Sequence, residues 1–306
     1  NPRVDSAPNG WGALLYGSEQ RYIHILESFF FPPDIPARPN FTPDSNAKWG
    51  SVAAWLPLFS MTGVIAFLQA KKHTNWLKRL IVTLFIMAFI PILNSLFQLL
   101  NSSYYARWFY MLTLMMSLAT VISLENSKTD WRRALTWTGS ITAVILVAIG
   151  FMPNTTEAQT GETVTTYGLM QYPDRFWAYG AVALVSLAVL ALLLKLMRKN
   201  RRKFIRYTYV CVGIISVCYS SYLLILGKTQ GYNSHEFIIP HVLNKGGEID
   251  LPDTNSARSD FYKTMDNTAM FWQIPSIQAF HSIVPGSVMD FYPSIGVTRD
   301  VGSRPE

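Results

Sequence analysis

The chain is expected to fold as an all-α polytopic membrane domain of six transmembrane helices, followed by the start of an exterior β-rich or mixed domain. Three observations predict this. Only 15% of the 306 residues are charged while 50% are hydrophobic, well short of the roughly 25% charge of a soluble domain. Apolar runs without Asp, Glu, Lys, Arg or His recur at Trp49–Ala70, Leu80–Leu100, Trp108–Leu124, Ala134–Met152, Phe176–Leu194 and Tyr207–Gly227, each near the 17–25 residues that a bilayer asks of a helix. The basic residues also alternate from loop to loop. Lys71, Lys72, Lys78 and Arg79, then Lys128, Arg132 and Arg133, then Lys195, Arg198, Lys199, Arg201, Arg202, Lys203 and Arg206 fall on one side. The two opposite short loops hold only Arg107 and Arg175. Basic loops stay cytoplasmic, so the N-terminal segment, the two minor loops and the C-terminal segment are expected outside.

The domain organisation follows as 1–48, an exterior aromatic and proline-rich loop with an interfacial helix; 49–227, the transmembrane domain; and 228–306, an exterior domain. The net charge of +7 belongs to the cytoplasmic loops and lipid headgroups, which excludes nucleic acid as a partner. Two cysteines exclude a disulfide scaffold, and Cys211 and Cys218, seven residues apart on one helix, read as packing residues. The chain starts at Asn1-Pro2 without a methionine, and we read it as an internal piece of a longer protein.

In the N-terminal segment, prolines from Pro32 to Pro39 forbid a long helix. Phe29–Phe31 read as a wedge pressing a short helix, about Tyr22–Phe31, into the headgroup layer. Asp44 reads as a capping or turn residue. In the second run Pro91 breaks the helix and Asn94 is a polar group at membrane depth. From Asn94 a helix is expected to leave the membrane obliquely toward Arg107, which five aromatic residues surround: Tyr104, Tyr105, Trp108, Phe109 and Tyr110. A guanidinium with two tyrosine hydroxyls beside it suits a lipid phosphate, so Arg107, Tyr104 and Tyr105 are the candidate lipid-phosphate site; an interfacial anchor is the plainer alternative. After Gly227 the short apolar runs Phe237–Pro240 and Ile249–Leu251 read as strand-like. His281-Ser282 has no acid at a suitable spacing for a hydrolase triad.

Asn94-Ser95-Leu96-Phe97 leading to Ser103-Tyr104-Tyr105-Ala106-Arg107-Trp108-Phe109-Tyr110 resembles the signature of the bacterial YfhO family. Asn267-Thr268-Ala269-Met270, Ile274-Pro275-Ser276-Ile277 and Phe280-His281-Ser282 are similar to the start of its exported domain, and Trp49-Gly50-Ser51 with Leu56-Pro57 agrees in order. The resemblance implies a GT-C type glycosyltransferase in the bacterial cytoplasmic membrane. Such an enzyme moves a sugar from a polyprenyl-phosphate carrier to a cell-envelope polymer, teichoic acid in Gram-positive members. It also implies a catalytic aspartate in the first large outside loop, upstream of Asn1. The catalytic base is therefore unknown within this chain, and neither Asp34 nor Asp44 is assigned to it. The cofactor is unknown as well; a divalent metal is compatible with the chemistry, but no residues here are assigned to one. The alternatives are an envelope-lipid transporter or flippase, and a non-catalytic membrane scaffold with an exterior binding domain.

Overall fold

The computed structural model describes residues 10–17, 19–35, 52–100, 106–157, 163–169, 172–230, 239–240, 242–243, 258–261, 267–277 and 286–297. Helices dominate: α1 (Glu19–Phe30), α2 (Thr62–Ala70), α3 (Trp76–Phe89), α4 (Pro91–Ser95), α5 (Phe109–Glu125) and α6 (Trp131–Gly150). An antiparallel hairpin follows, β1 (Pro153–Glu157) with β2 (Thr163–Tyr167), in register from Pro153 opposite Tyr167 to Glu157 opposite Thr163. Then come α7 (Pro173–Lys199), α8 (Arg201–Gln230), α9 (Thr268–Phe271) and α10 (Gly286–Ser294). Three of these, α6, α7 and α8, are long and apolar enough to cross a membrane, and α5 is a shorter apolar helix.

The first two apolar runs depart from the expected continuous helices. Between residues 52 and 61 the chain is extended and turned, and helix begins only at Thr62. Pro57 has no N–H for a helical ladder, and Leu58 and Ser60 take left-handed conformations (φ 69° and 47°). Ser60 donates its hydroxyl to the Phe30 carbonyl at 3.2 Å, and the Ala54 N–H donates to the Ser28 carbonyl at 3.3 Å. This stretch is thus bound to the end of α1, and its own winding is limited to turns, among them the one that the Ser60 N–H closes on the Leu56 carbonyl at 2.7 Å.

In the second run, helix stops at Ile90 (φ −110°, ψ 114°) and restarts with Pro91 at its first turn. The ring of Pro91 disfavours helical backbone at the residue before it. Nor does a helix run on from Asn94 to Arg107. It tightens to a 3-10 turn over Leu96–Gln98 and ends where Leu99 and Leu100 adopt positive φ.

The broken helix is held by a buried polar node. Tyr16 Oη donates to the Ala88 carbonyl at 2.9 Å, Asn94 Nδ2 donates to Tyr16 Oη at 2.9 Å, and Trp108 Nε1 donates to Asn94 Oδ1 at 2.5 Å. Burial, partly offset by the Asn94 hydrogen bond, pushes the Tyr16 phenol up to about 12, so it stays protonated and can serve as a donor.

Phe29, Phe30 and Phe31 are core residues, not a headgroup wedge, because rings from three helices enclose them. Phe29 lies 5.0 Å from Phe85 and 6.1 Å from Phe109, and Phe31 lies 6.1 Å from Phe176, centroid to centroid. Helix α2 packs against α5 and α6, and α6 against α7. At the α2–α5 crossing a Cβ on Gly63 would lie 2.3 Å from Thr120 side-chain atoms, and Ser123 Oγ donates to the Gly63 carbonyl at 3.2 Å. A small residue there lets the two backbones approach. Gly63→Leu is expected to cost about 1–3 kcal/mol through overpacking, read as earlier thermal unfolding in detergent; unfolding at the wild-type temperature would show that the crossing tolerates bulk.

The chain divides into two compact units, Asn1–Leu223 and Leu224–Glu306. In the second, Trp272 Nε1 donates to the Val242 carbonyl at 2.7 Å, and the Trp272 ring packs 5.1 Å from Phe261. Of the expected β-rich or mixed character, the described residues of this unit show helix and no β-rich part. Ile239-Pro240 and Val242-Leu243 are helical, and the one bridge joins Ser259 to Ser276. Residues 237–238, 249–251 and 281–282 lie outside the described residues.

Candidate functional site

The prolines that end α1 also build the most highly charged buried cluster among the described residues. The last helical bond runs from the Phe31 N–H to the Glu27 carbonyl; Pro32 and Pro33 then force extended chain and project Asp34 inward. Its Oδ2 accepts from Arg175 Nη2 at 3.0 Å, with the two side chains only 4% and 7% exposed. Its Oδ1 accepts from Tyr179 Oη and from the Ile35 N–H. Arg175 and Tyr179 stand one turn apart near the start of α7, a spacing that places both on one face. The Arg175 guanidinium also lies 3.9 Å from the centroid of the Tyr172 ring, an additional attraction for a desolvated cation. From α8, Tyr219 Oη donates to the Pro33 carbonyl at 2.6 Å, and Trp55 packs beside the Tyr219 ring.

Two further titratable groups, Glu27 and His24, are buried on α1. Burial, and then the nearby Asp34 charge, hold the Glu27 carboxyl well above its ordinary value. Burial pushes the His24 imidazole down to about 4. The two have opposite consequences for stability. Glu27, with its folded value raised, destabilises the fold progressively as pH rises above about 4.5. His24, with its folded value depressed, destabilises it as pH falls from 6.5 toward 4. Glu27→Gln is therefore expected to gain stability over the wild type as pH is raised from about 5 to 8, measured as thermal midpoints in one detergent; parallel profiles would mean that Glu27 is solvated.

Beside the cluster an apolar cavity of about 380 Å³ opens between α7 and α8. Its walls include Ala178, Val182, Val185 and Ile214, and at one end it reaches Tyr219 and Tyr222. An ion pair with phenolic donors at the end of an apolar slot is an arrangement for an amphiphile with a polar, anionic head.

The residues expected from sequence are distributed differently. Arg107 is exposed in the turn before α5, and Tyr104, Tyr105 and Asp44 lie outside the described residues. Pro91 and Asn94 sit at the break after α3, where Asn94 is 1% exposed and bonded as described above. The buried cluster itself is assembled from Asp34, which the sequence left without a catalytic role, and from Arg175, which it used only for topology. The available signal was a lone arginine opening an apolar run with a tyrosine four residues on. Among the described residues no group of three His, Cys, Asp or Glu side chains is placed to hold a metal ion.

Comparison with curated proteins and with solved structures gives no match. A family model described as bacterial membrane protein YfhO matches residues 40–304. That match spans most of the chain, all the membrane-length helices included, and the chain belongs to the YfhO family of bacterial membrane proteins.

Proposed function

We propose that the protein is a membrane glycosyltransferase that moves a sugar from a polyprenyl-phosphate carrier to a cell-envelope polymer such as teichoic acid. The observation that carries this is the buried Asp34–Arg175–Tyr179 cluster beside an apolar cavity between two membrane-length helices. We retain six membrane crossings, with α5, α6, α7 and α8 as single helices and the broken segments around Leu58 and Pro91 as irregular ones. It places the N-terminal segment, Arg107, Arg175 and the C-terminal unit on the exterior face, opposite the basic loops.

In this scheme the isoprenoid chain occupies the apolar cavity and its phosphate meets the two exterior arginines. Arg107, with Tyr104 and Tyr105, holds the phosphate at the surface, and Arg175 receives the charge that develops as it leaves. While Arg175 and Tyr179 occupy the Asp34 oxygens, that carboxylate is not available to an acceptor. A phosphate that draws Arg175 toward itself uncovers Oδ2. Asp34 then takes the proton of the acceptor hydroxyl, the acceptor oxygen bonds the anomeric carbon, and the sugar–phosphate bond breaks with its electron pair on the phosphate.

The test is the sugar content of the envelope polymer in the native bacterium. Asp34→Asn, membrane-inserted at wild-type level, is expected to lose the sugar; unchanged content removes Asp34 from the chemistry. Arg107→Ala is likewise expected to abolish polymer glycosylation without loss of insertion, and normal glycosylation would exclude Arg107 from the site. The helix break at Ile90–Pro91 favours a second reading, an envelope-lipid flippase. Unchanged polymer sugar in a deletion strain would select that reading or a scaffold.

A further inference from the structure

A second cavity, of about 430 Å³, lies toward the other end of α8, a size typical of ligand pockets. Arg201, on its lining, precedes Tyr219 by a stretch of α8 that spans about 27 Å at 1.5 Å per residue, close to the 30 Å of a hydrocarbon core. The two cavities are therefore set for opposite headgroup layers. The walls of this one are mostly apolar, from Phe59, Val121, Phe204 and Val212, and three of its polar residues bear on a headgroup.

Glu125, the last residue of α5, and Arg201, the first of α8, both line the cavity and are both exposed. They carry opposite charges, yet among the described residues neither forms an ion pair. Thr208 is the third feature. Two other lining hydroxyls are returned to their own helix: Ser117 Oγ donates to the Thr113 carbonyl, and Thr120 Oγ1 to the Met116 carbonyl. Thr208 Oγ1 is not; it is shielded from solvent and has no hydrogen-bond partner among the described residues.

We infer that this cavity binds one amine-bearing zwitterionic phospholipid of the phosphatidylethanolamine type. An acyl chain fills the apolar part, Arg201 takes the phosphate, Glu125 takes the ammonium group, and Thr208 donates to an ester carbonyl. The paired rim charges choose the headgroup. A purely anionic lipid would satisfy Arg201 but set its charge against Glu125, and a choline headgroup offers Glu125 no N–H donor. The neighbouring run Arg198-Lys199-Asn200-Arg201-Arg202-Lys203 attracts anionic lipid as well, which makes the headgroup preference a sharp discriminator. This site is independent of the glycosyl-transfer proposal.

The test is native mass spectrometry of the full chain released from vesicles holding equal amounts of phosphatidylethanolamine, phosphatidylglycerol and phosphatidylcholine. The expected result is preferential retention of the ethanolamine lipid. Glu125→Gln should reduce that retention about tenfold, the loss of one charge-assisted hydrogen bond, and erase the preference over choline. Thr208→Val should weaken all three lipids alike. Stronger retention of phosphatidylglycerol, unchanged by Glu125→Gln, would overturn the inference in favour of the basic run acting alone. Equal retention of the three would overturn it outright. Because Glu125 is exposed, the wild-type thermal midpoint in detergent should persist in Glu125→Gln.

Discussion

Arg175→Met is expected to destabilise the protein by about 3–5 kcal/mol, because it leaves the Asp34 carboxylate in a desolvated position without its cation. The thermal midpoint of the purified chain in detergent should fall accordingly. Asp34→Leu combined with Arg175→Met should recover part of that loss: apolar side chains of similar volume replace a buried pair at little cost, but the Tyr179 hydroxyl and the Ile35 N–H lose their acceptor. The double variant separates two roles of the cluster. Part of the stability should return, while envelope-polymer glycosylation should stay absent if the pair takes part in the chemistry. A double variant as unstable as the single one would show that Arg175 is held mainly by other partners, and one that glycosylates normally would assign the pair to folding alone.

Asn94→Leu is the second large effect. Asn94 is at once donor to Tyr16 and acceptor from Trp108, and leucine is neither. The Trp108 indole N–H would be left buried without that acceptor, and a stranded group of this kind costs about 1–3 kcal/mol. Tyr16 keeps its bond to the Ala88 carbonyl, so the loss falls mainly on the start of α5. The expected signature is a lower thermal midpoint together with faster amide exchange at the first turn of α5. Unchanged exchange at Phe109–Leu112 would mean that aromatic packing of Trp108 on Phe97, 4.5 Å between centroids, suffices to hold that end. Asn94→Asp keeps the acceptor for Trp108, and it should retain more of the structure at a pH where the new carboxyl is neutral.

Apolar runs were legible where the helices are regular. Ala134–Met152 and Phe176–Leu194 correspond to α6 and α7 because an unbroken apolar segment in lipid satisfies its backbone only as a helix. Trp49–Ala70 has the hydropathy of one helix although its first part is not helical, since hydropathy registers composition and not the carbonyls of α1 that capture Ser60 and Ala54. Phe29–Phe31 lie in the core and not at an interface. Three consecutive phenylalanines suit a membrane interface and a protein core equally, and only the position of Phe85, Phe109 and Phe176 decides between them. The cluster around Asp34 was hidden for a related reason: its members are separated by 141 and 145 residues, and no local spacing signals a contact made by three distant segments.

The segment Pro33-Asp34 is fastened twice, by its side chain to α7 and by its carbonyl to α8. Proline gives the segment little slack, so it acts as a short tendon across the mouth of the slot between those helices. A lipid tail that wedges α7 and α8 apart must load this tendon, and the strain is borne by the Asp34–Arg175 contact or the Tyr219–Pro33 contact. If the slot takes a lipid tail as proposed, its entry would pull on the charged pair.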